Sequence, residues 1–148
     1  MSVAEKLKIT AGEYLAAERQ SELRHEFFDG ELFAMAGGTR RHSLIATNLA
    51  GELRNFLKSK PCQVLNSDMR LKIEATGLYT YPDVQVGCGR LRFEEDEEDT
   101  LLNPKIIVEV LSDSTAAWDR GGKFWHYRHL DSFTDYVLIS QDAWQVEH

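Results

Sequence analysis

The apolar run Ile106–Leu111 is the segment that most restricts how this chain can fold. Aliphatic residues, most of them β-branched, surround a single glutamate, Glu109, and turn-forming residues flank the run on both sides. A continuous apolar segment of this length is typical of a β-strand that is buried on both faces. An ionised carboxylate in such a strand is costly to desolvate unless it is paired, hydrogen-bonded or bound to a metal. The simpler alternative is that Glu109 faces solvent at a sheet edge.

A second carboxylate, Asp83, lies in another strand-like segment, residues 78–86. Because Pro82 has no N–H, we expect it at a strand start or a bulge rather than in a central ladder. Two inward-facing carboxylates on neighbouring strands provide the oxygen ligands that Mg²⁺ requires. The positions of Asp83 and Glu109 therefore predict a metal site. The alternative is that Asp83 merely begins its strand and binds nothing.

A metal held by these two carboxylates could polarise a phosphoryl oxygen, and a site of that kind also needs a cation near the negative charge that develops there. The position two residues after Glu109 would share its face of the strand, but it holds Leu111. The next cation able to reach back is Lys123, on a helix predicted after the strand, and Arg120 could share its helical face. The alternative for Lys123 is a solvated side chain.

The charge of the chain is unevenly distributed. The formal net charge is -7, and the acidic run Glu94–Asp99 accounts for most of it, so the remainder is close to neutral. A protein that binds nucleic acid by neutralising phosphates is usually basic, which argues against a tight, sequence-independent DNA binder. We predict that the acidic run is a solvated part of a surface loop at residues 87–103.

The predicted elements occur in the order helix, β-hairpin, helix, three strands, helix and two strands. This order indicates an α/β or α+β fold with a mixed sheet. Thr10 and Glu13 form a capping-box pattern at the first helix, and Asp29-Gly30 is a strong hairpin signal. The predicted elements are a helix at 11–19, strands at 24–28 and 31–36, a helix at 40–58 capped by Thr39, strands at 62–73, 78–86 and 106–111, a helix at 120–129, and strands at 133–140 and 144–147.

The two cysteines and the N-terminal residues indicate the cellular compartment in which the protein is expected. Cys62 and Cys88 have neither metal-ligand nor CxxC spacing, so we expect free thiols in a reducing environment. Residues 1–8 lack the apolar core of a signal peptide, and no stretch is apolar enough to cross a membrane. These features predict a cytoplasmic protein with no membrane partner and a single domain over residues 1–148.

Short motifs run through nearly the whole chain, each weak alone. They are Glu13-Tyr14-Leu15, Arg24-His25-Glu26, Asp29-Gly30-Glu31, Arg41-His42, Ser67-Asp68, Tyr81-Pro82-Asp83-Val84, Val108-Glu109-Val110-Leu111-Ser112, Asp119-Arg120-Gly121 with Lys123, and Tyr136-Val137-Leu138. In this order the chain resembles the Uma2 family (DUF820), which consists of restriction-endonuclease-like nucleases with the PD-(D/E)XK fold.

The resemblance implies a restriction-endonuclease-like core with a site for Mg²⁺, or for Mn²⁺ as the alternative ion. Asp83, Glu109 and the Val110 carbonyl would be its ligands. The lysine of the usual E-x-K motif would have moved to the helix, at Lys123. Glu26 would complete the catalytic set, unless it simply flanks the hairpin. Gly122 stands where the family more often has a helix-forming polar residue, and we expect the family's last C-terminal residues to be absent after residue 148.

The resulting hypothesis is a Mg²⁺-dependent endonuclease that hydrolyses phosphodiester bonds of nucleic acid, most simply DNA, by in-line attack of metal-activated water. Because this surface offers little positive charge, a homodimer or another partner would supply it. Two alternatives stay open. One is a non-catalytic, nuclease-like interaction module, and the other is a metal-dependent hydrolase of a small phosphorylated molecule.

Several other side chains allow two interpretations. Asp68 fits a turn or bulge residue better than a metal ligand. His42, in the first turn of its helix, is either a surface or capping residue or a phosphate contact, since helix N-termini attract anions. The large aromatic residues are expected in the core or at a dimer interface; they are Trp118, Trp125, Tyr127 and Trp144.

Overall fold

A computed structural model describes residues 7–148, so that residues 1–6, part of the segment tested for a signal peptide, lie outside it. The helices are α1 (Ala11–Glu18), α2 (Arg40–Leu57) and α3 (Lys123–Tyr127), and a π-helical turn, Trp118–Gly122, leads directly into α3. The strands are β1 (His25–Phe28), β2 (Glu31–Ala34), β3 (Cys62–Asn66), β4 (Arg70–Ile73), β5 (Leu78–Thr80), β6 (Val84–Cys88), β7 (Thr100–Leu101), β8 (Ile106–Leu111), β9 (Asp135–Ser140) and β10 (Val146–Glu147).

The strands form two mixed five-stranded sheets. The first has the order β2-β1-β5-β4-β7 and the second has the order β10-β9-β8-β6-β3. Each combines antiparallel neighbours with one parallel pair, β4 with β7 and β8 with β9. The predicted mixed α+β architecture is therefore confirmed, although its strands divide between two sheets instead of forming one central sheet.

Local sequence signals produce the expected local structures. The Thr10 hydroxyl accepts a hydrogen bond from the Glu13 N–H while Glu13 reaches back to the Thr10 N–H, which completes the capping box of α1. Asp29 and Gly30 both have positive φ, 48° and 81°, as a two-residue hairpin turn with the right twist requires. Thr39 caps α2 by accepting from the His42 N–H.

Two of the predicted strands are wrong, because each of these segments forms two separate strands. Residues 62–73 divide into β3 and β4, which belong to different sheets. The Asp68 N–H donates to Oδ1 of Asn66 at 2.9 Å, so Asp68 is a turn residue as predicted. Residues 78–86 divide in the same way into β5 and β6, with the chain leaving one sheet and entering the other around Pro82.

The prediction of two free thiols is wrong, since Cys62 and Cys88 form a disulfide. β3 and β6 pair antiparallel with Cys62 directly opposite Cys88. The pairing depends on the register of strands that lie 26 residues apart, which spacing in the sequence does not reveal.

The prediction that the acidic run Glu94–Asp99 is only a solvated part of a surface loop is wrong in part, because several of its carboxylates form ion pairs. Arg19 of α1 binds Glu95 at 2.7 Å and Asp99 at 2.8 Å, while Arg70 of β4 binds Asp99 at 3.0 Å. Lys72, also on β4, pairs with Glu94. These contacts fasten the loop, which also contains the short strand β7, to the first sheet and α1.

The C-terminal third differs from prediction mainly in its helix and its aromatic residues. The helix predicted at 120–129 starts earlier, in the π-helical turn, and ends at Tyr127. Tyr127 is buried as expected, but Trp118, Trp125 and Trp144 are not core residues, being 37%, 47% and 108% exposed. Within residues 7–148, every helix is too short or too polar to cross a lipid bilayer.

Candidate active site

Asp83 and Glu109 meet on adjoining strands of the second sheet. β6 and β8 pair antiparallel with Val84 opposite Val108, so one further step of this register places Asp83 opposite Glu109. Opposed residues of an antiparallel pair share a face of the sheet. The regular ladder ends here, and the Val110 N–H donates instead to Oδ2 of Asp83 at 2.7 Å. The Asp83 carboxylate is therefore held against the backbone that carries Glu109.

Glu109 is enclosed, with 3% of its surface exposed. Its Oε1 accepts a hydrogen bond of 2.9 Å from the Tyr127 hydroxyl and lies 3.5 Å from Nζ of Lys123. Burial raises the pKa of Glu109 well above its usual value, the Lys123 ammonium opposes that rise, and the nearby carboxylates of Asp83 and Asp119 add to it. The sheet-edge alternative for Glu109 is excluded by this burial.

Lys123 is a buried cation between two acids, with 5% of its surface exposed. Its Nζ lies 3.2 Å from Oδ1 of Asp119, which precedes it by four residues, as well as 3.5 Å from Glu109. Burial by itself would lower the pKa of Lys123, but the charges of Glu109, Glu26 and Asp119 outweigh burial and raise the pKa above its usual value. The solvated alternative for Lys123 is wrong, and the lysine stays charged.

Glu26 reaches the same cavity from the first sheet. It is a half-buried residue of β1 and its charge contributes to the raised pKa of Lys123. The cavity, of 460 Å³, is lined by Glu26, Asp83, Glu109, Val110 and Lys123, among others. The structure thus brings together all the residues that the sequence singled out for catalysis and metal binding.

His42 also reaches this site. Its ring Nε2 lies 3.2 Å from Oδ2 of Asp83. The hydrogen bond with Asp83 raises the pKa of His42 against the opposing effect of burial. The interpretation of His42 as a plain surface or capping residue is wrong, because its side chain is directed at a carboxylate of the site.

Sequence reasoning missed Asp119 and Tyr127 as site residues, and for His42 it allowed a phosphate contact but did not predict the hydrogen bond with Asp83. A usable signal existed for Asp119, because its spacing of four from Lys123 places both side chains on one helical face. Tyr127 has the same spacing from Lys123, but its contact is with Glu109 of β8, 18 residues earlier, which helical spacing does not predict. His42 precedes Asp83 by 41 residues, and no local pattern connects the two.

The candidate metal ligands at the cavity, the carboxylates of Asp83 and Glu109 and the carbonyl of Val110, are all oxygen atoms. Within residues 7–148, no three His, Cys, Asp or Glu side chains are grouped closely enough to hold a metal between them. Mg²⁺, however, is usually bound by one or two carboxylates and completes its shell with water. The pair Asp83 and Glu109 fits that requirement, and a divalent ion would add positive charge beside Glu109, whose carboxylate also faces those of Asp83 and Asp119.

Comparisons with known proteins agree with the motifs. The sequence profile of the Uma2 family, described as "Putative restriction endonuclease", matches residues 11–148. Two proteins of Synechocystis sp. (strain ATCC 27184 / PCC 6803 / Kazusa), both named as uncharacterized, are similar. The protein slr1290 is 39% identical over 142 residues, which cover 95% of this chain and 73% of that protein. The protein sll1609 is 36% identical over 148 residues, which cover 100% of this chain and 84% of that protein.

A crystal structure with a similar fold comes from Anabaena variabilis ATCC 29413, where it is described as "a putative nuclease belonging to DUF820". The two structures superpose with a TM-score of 0.69 at 18% sequence identity. The match covers 89% of this chain and 74% of that chain. This likeness shows that the fold is shared.

Proposed function

The chain belongs to the Uma2 family, and on that basis we propose that it is a Mg²⁺-dependent endonuclease that hydrolyses phosphodiester bonds of nucleic acid, most simply DNA. The observation that carries the proposal is the meeting of three side chains from separate elements. Asp83 sits against the backbone of β8, Glu109 projects from β8, and Nζ of Lys123 lies 3.5 Å from Glu109. Mn²⁺ is the alternative ion.

The proposed ligands are the carboxylates of Asp83 and Glu109 and the carbonyl of Val110. The Val110 N–H points to Asp83, at 2.7 Å from Oδ2. Because the N–H and C=O of one strand residue point to the same side, the Val110 carbonyl also faces the edge where Asp83 lies. Val110 lines the cavity together with both carboxylates, which supports its place in the set.

When bound, the ion would polarise a phosphoryl oxygen and lower the pKa of a coordinated water. Lys123 is kept protonated by the acids around it, so its ammonium can stabilise the negative charge that develops on the phosphate. Tyr127 donates to Glu109 from the buried side and fixes the orientation of that carboxylate. Glu26 lines the same cavity from β1, and we propose that it holds a bridging water or a second ion there.

The direct test is nicking of supercoiled plasmid by the full chain with Mg²⁺ or Mn²⁺. We expect nicking that needs the metal and is lost in Glu109→Gln, Asp83→Asn and Lys123→Met. The controls are Glu52→Gln, at an exposed acid within α2, and Lys58→Met, at an exposed lysine just after α2. Both should nick as the wild type does. Metal-independent nicking, or equal nicking by Glu109→Gln, contradicts the proposal.

A second candidate is hydrolysis of a small phosphorylated molecule at the same site. It is favoured by the charge of the cavity, because Lys123 and His42 are the only basic side chains among the described residues that line it. A small phosphate ester needs no basic groove. Metal-dependent hydrolysis of bis(p-nitrophenyl) phosphate without plasmid nicking would favour this candidate. Metal binding with neither activity would favour a non-catalytic interaction module.

For nucleic acid, we propose that a homodimer presents two copies of the site, since one copy supplies few cations. Light scattering coupled to gel filtration measures the mass in solution. A dimer mass is expected, and a monomer that nicks plasmid efficiently would contradict this part of the proposal.

A further inference from the structure

We infer that His42 is the positioning residue of the proposed metal site: it holds Asp83 by one carboxylate oxygen and leaves the other for the ion. The inference rests on the proposed function, because it assigns Asp83 the part of a metal ligand. His42 itself would touch neither the ion nor the substrate and would act through Asp83.

The two hydrogen bonds to this carboxylate among the described residues end on the same oxygen. Oδ2 of Asp83 accepts from the Val110 N–H at 2.7 Å and lies 3.2 Å from Nε2 of His42. An ionised carboxylate can only accept, so the proton of this contact sits on Nε2. Two donors from different elements fix the plane of the carboxylate, and Oδ1 stays open for coordination.

The imidazole is held in place by its surroundings. His42 lies in the first turn of α2, where its own N–H donates to the Thr39 hydroxyl at 3.2 Å. Gly38 packs closely against the other side of the ring, since a Cβ at Gly38 would lie 3.0 Å from Nδ1 and 3.2 Å from Cγ of His42. The ring is thereby held between the Gly38 backbone and the Asp83 carboxylate.

The first turn of α2 is in turn fastened to the strand that carries Glu109. The Thr39 hydroxyl donates to Oε1 of Gln141 at 3.0 Å. The amide of Gln141 donates to the Leu111 carbonyl, at the end of β8, at 2.7 Å. The position of His42 is therefore set relative to β8, so that Asp83 and Glu109 are aligned through one connected set of hydrogen bonds.

The experiment compares Mn²⁺ affinity of the full chain in three forms: wild type, His42→Gln and His42→Leu. The glutamine Nε2 stands the same number of bonds from the backbone as the histidine Nε2, so His42→Gln keeps a donor that leucine lacks. Partners of metal ligands typically contribute 10- to 100-fold to metal affinity or activity. We expect His42→Leu to weaken Mn²⁺ binding by about 10-fold or more, and His42→Gln to recover most of that loss.

The nicking rate adds a second readout. Raising Mn²⁺ should restore a large part of the rate of His42→Leu, because the defect lies in holding the ion. A residue with a merely structural role would lower the rate at every metal concentration. Asn48→Leu replaces an exposed polar residue of the same helix and should bind and nick as the wild type does. Thermal unfolding verifies that each variant is folded.

Three results would overturn the inference. They are equal Mn²⁺ affinity in wild type and His42→Leu, an equal loss in His42→Gln and His42→Leu, and a rate for His42→Leu that metal does not restore. If the wild type itself binds no Mn²⁺ at millimolar concentration, the proposed function fails instead. In that case the hydrogen bond between His42 and Asp83 is tested without metal, by ¹⁵N–¹H spectra of the imidazole. A protonated Nε2 whose signals move in Asp83→Ala supports it, and signals that do not move refute it.

Discussion

Trp118 lies across Gly122, in the segment that positions the candidate catalytic lysine. A Cβ placed on Gly122 would stand 2.0 Å from Cζ3 and 2.1 Å from Cε3 of the indole. Packing within the π-helical turn therefore leaves no room for a side chain at Gly122 while the indole keeps this position. The turn ends at Gly122 and Lys123 begins α3, so the indole supports the backbone from which the lysine projects.

We predict that Gly122→Ala lowers the free energy of unfolding by about 1–3 kcal/mol, as overpacking does, and slows nicking because the displaced indole shifts Lys123. Urea unfolding and the plasmid assay measure the two effects. Gly121→Ala is the matched control, since nothing lies within 4 Å of its added Cβ. In the background of Trp118→Ala, Gly122→Ala should be nearly neutral. Equal destabilisation in both backgrounds would contradict this account of the glycine.

Lys123→Met should destabilise the metal-free protein at pH 7. The substitution leaves Glu109 and Asp119 facing one another without the cation that separates them at 3.5 and 3.2 Å. Removing one partner of a buried ion pair typically costs about 3–5 kcal/mol, and urea titration in the presence of a chelator measures the loss. Lys58→Met, at an exposed lysine, should change little. A loss no larger than in this control would show that the buried ion pair does not stabilise the fold.

Reduction of the disulfide should lower stability without unfolding the protein. Cys62 and Cys88 enclose a loop with a sequence separation of 26, for which the loop-entropy relation gives about 3.5 kcal/mol. Urea unfolding with and without dithiothreitol measures the difference. The double variant Cys62→Ala with Cys88→Ala should be insensitive to the reductant. A wild type that is equally insensitive would show that the thiols are not linked in solution.

Asp99 should make stability depend on pH in acid. Its hydrogen bond with Arg19, together with Arg70, lowers the pKa of Asp99 from 3.8 to about 2. A carboxyl with a lowered pKa stabilises the fold above its ordinary pKa, and the contribution is lost as pH falls from about 4 towards 2. Allowing for solvent screening of this half-exposed pair, Asp99→Asn should cost about 1 kcal/mol at pH 7. The two proteins should converge at pH 2, and a constant difference would contradict this.

The sequence was most informative where the determinants are local. The caps at Thr10 and Thr39 and the Asp29-Gly30 turn each depend on residues within one turn of one another, and all three form as predicted. The buried strand of Glu109 follows from its uninterrupted apolar run. A second carboxylate in a strand-like segment is enough to single out Asp83 as the expected partner of Glu109. The register of β6 against β8, which puts the two residues opposite one another, is seen only in the structure.

The features that were missed depend on distant parts of the chain. Residues 62–73 contain a predicted turn residue, Asp68, but the sequence does not reveal that β3 and β4 on either side of it join different sheets. The Cys62–Cys88 bond depends on strand register, and the ion pairs of Arg19 with Glu95 and Asp99 connect residues 76 and 80 positions apart. His42 reaches Asp83 because α2 is anchored to the end of β8 through Gln141, a tertiary arrangement without a sequence signal.

The central claim is that Asp83 and Glu109 share one divalent ion. An anomalous difference map from a crystal of this chain soaked in Mn²⁺ tests it most directly. The account predicts one strong peak within coordination distance of both carboxylates and of the Val110 carbonyl, absent in crystals of Glu109→Gln. A map with no peak in that cavity at millimolar Mn²⁺, or with its peak bound only by other side chains, would contradict the claim.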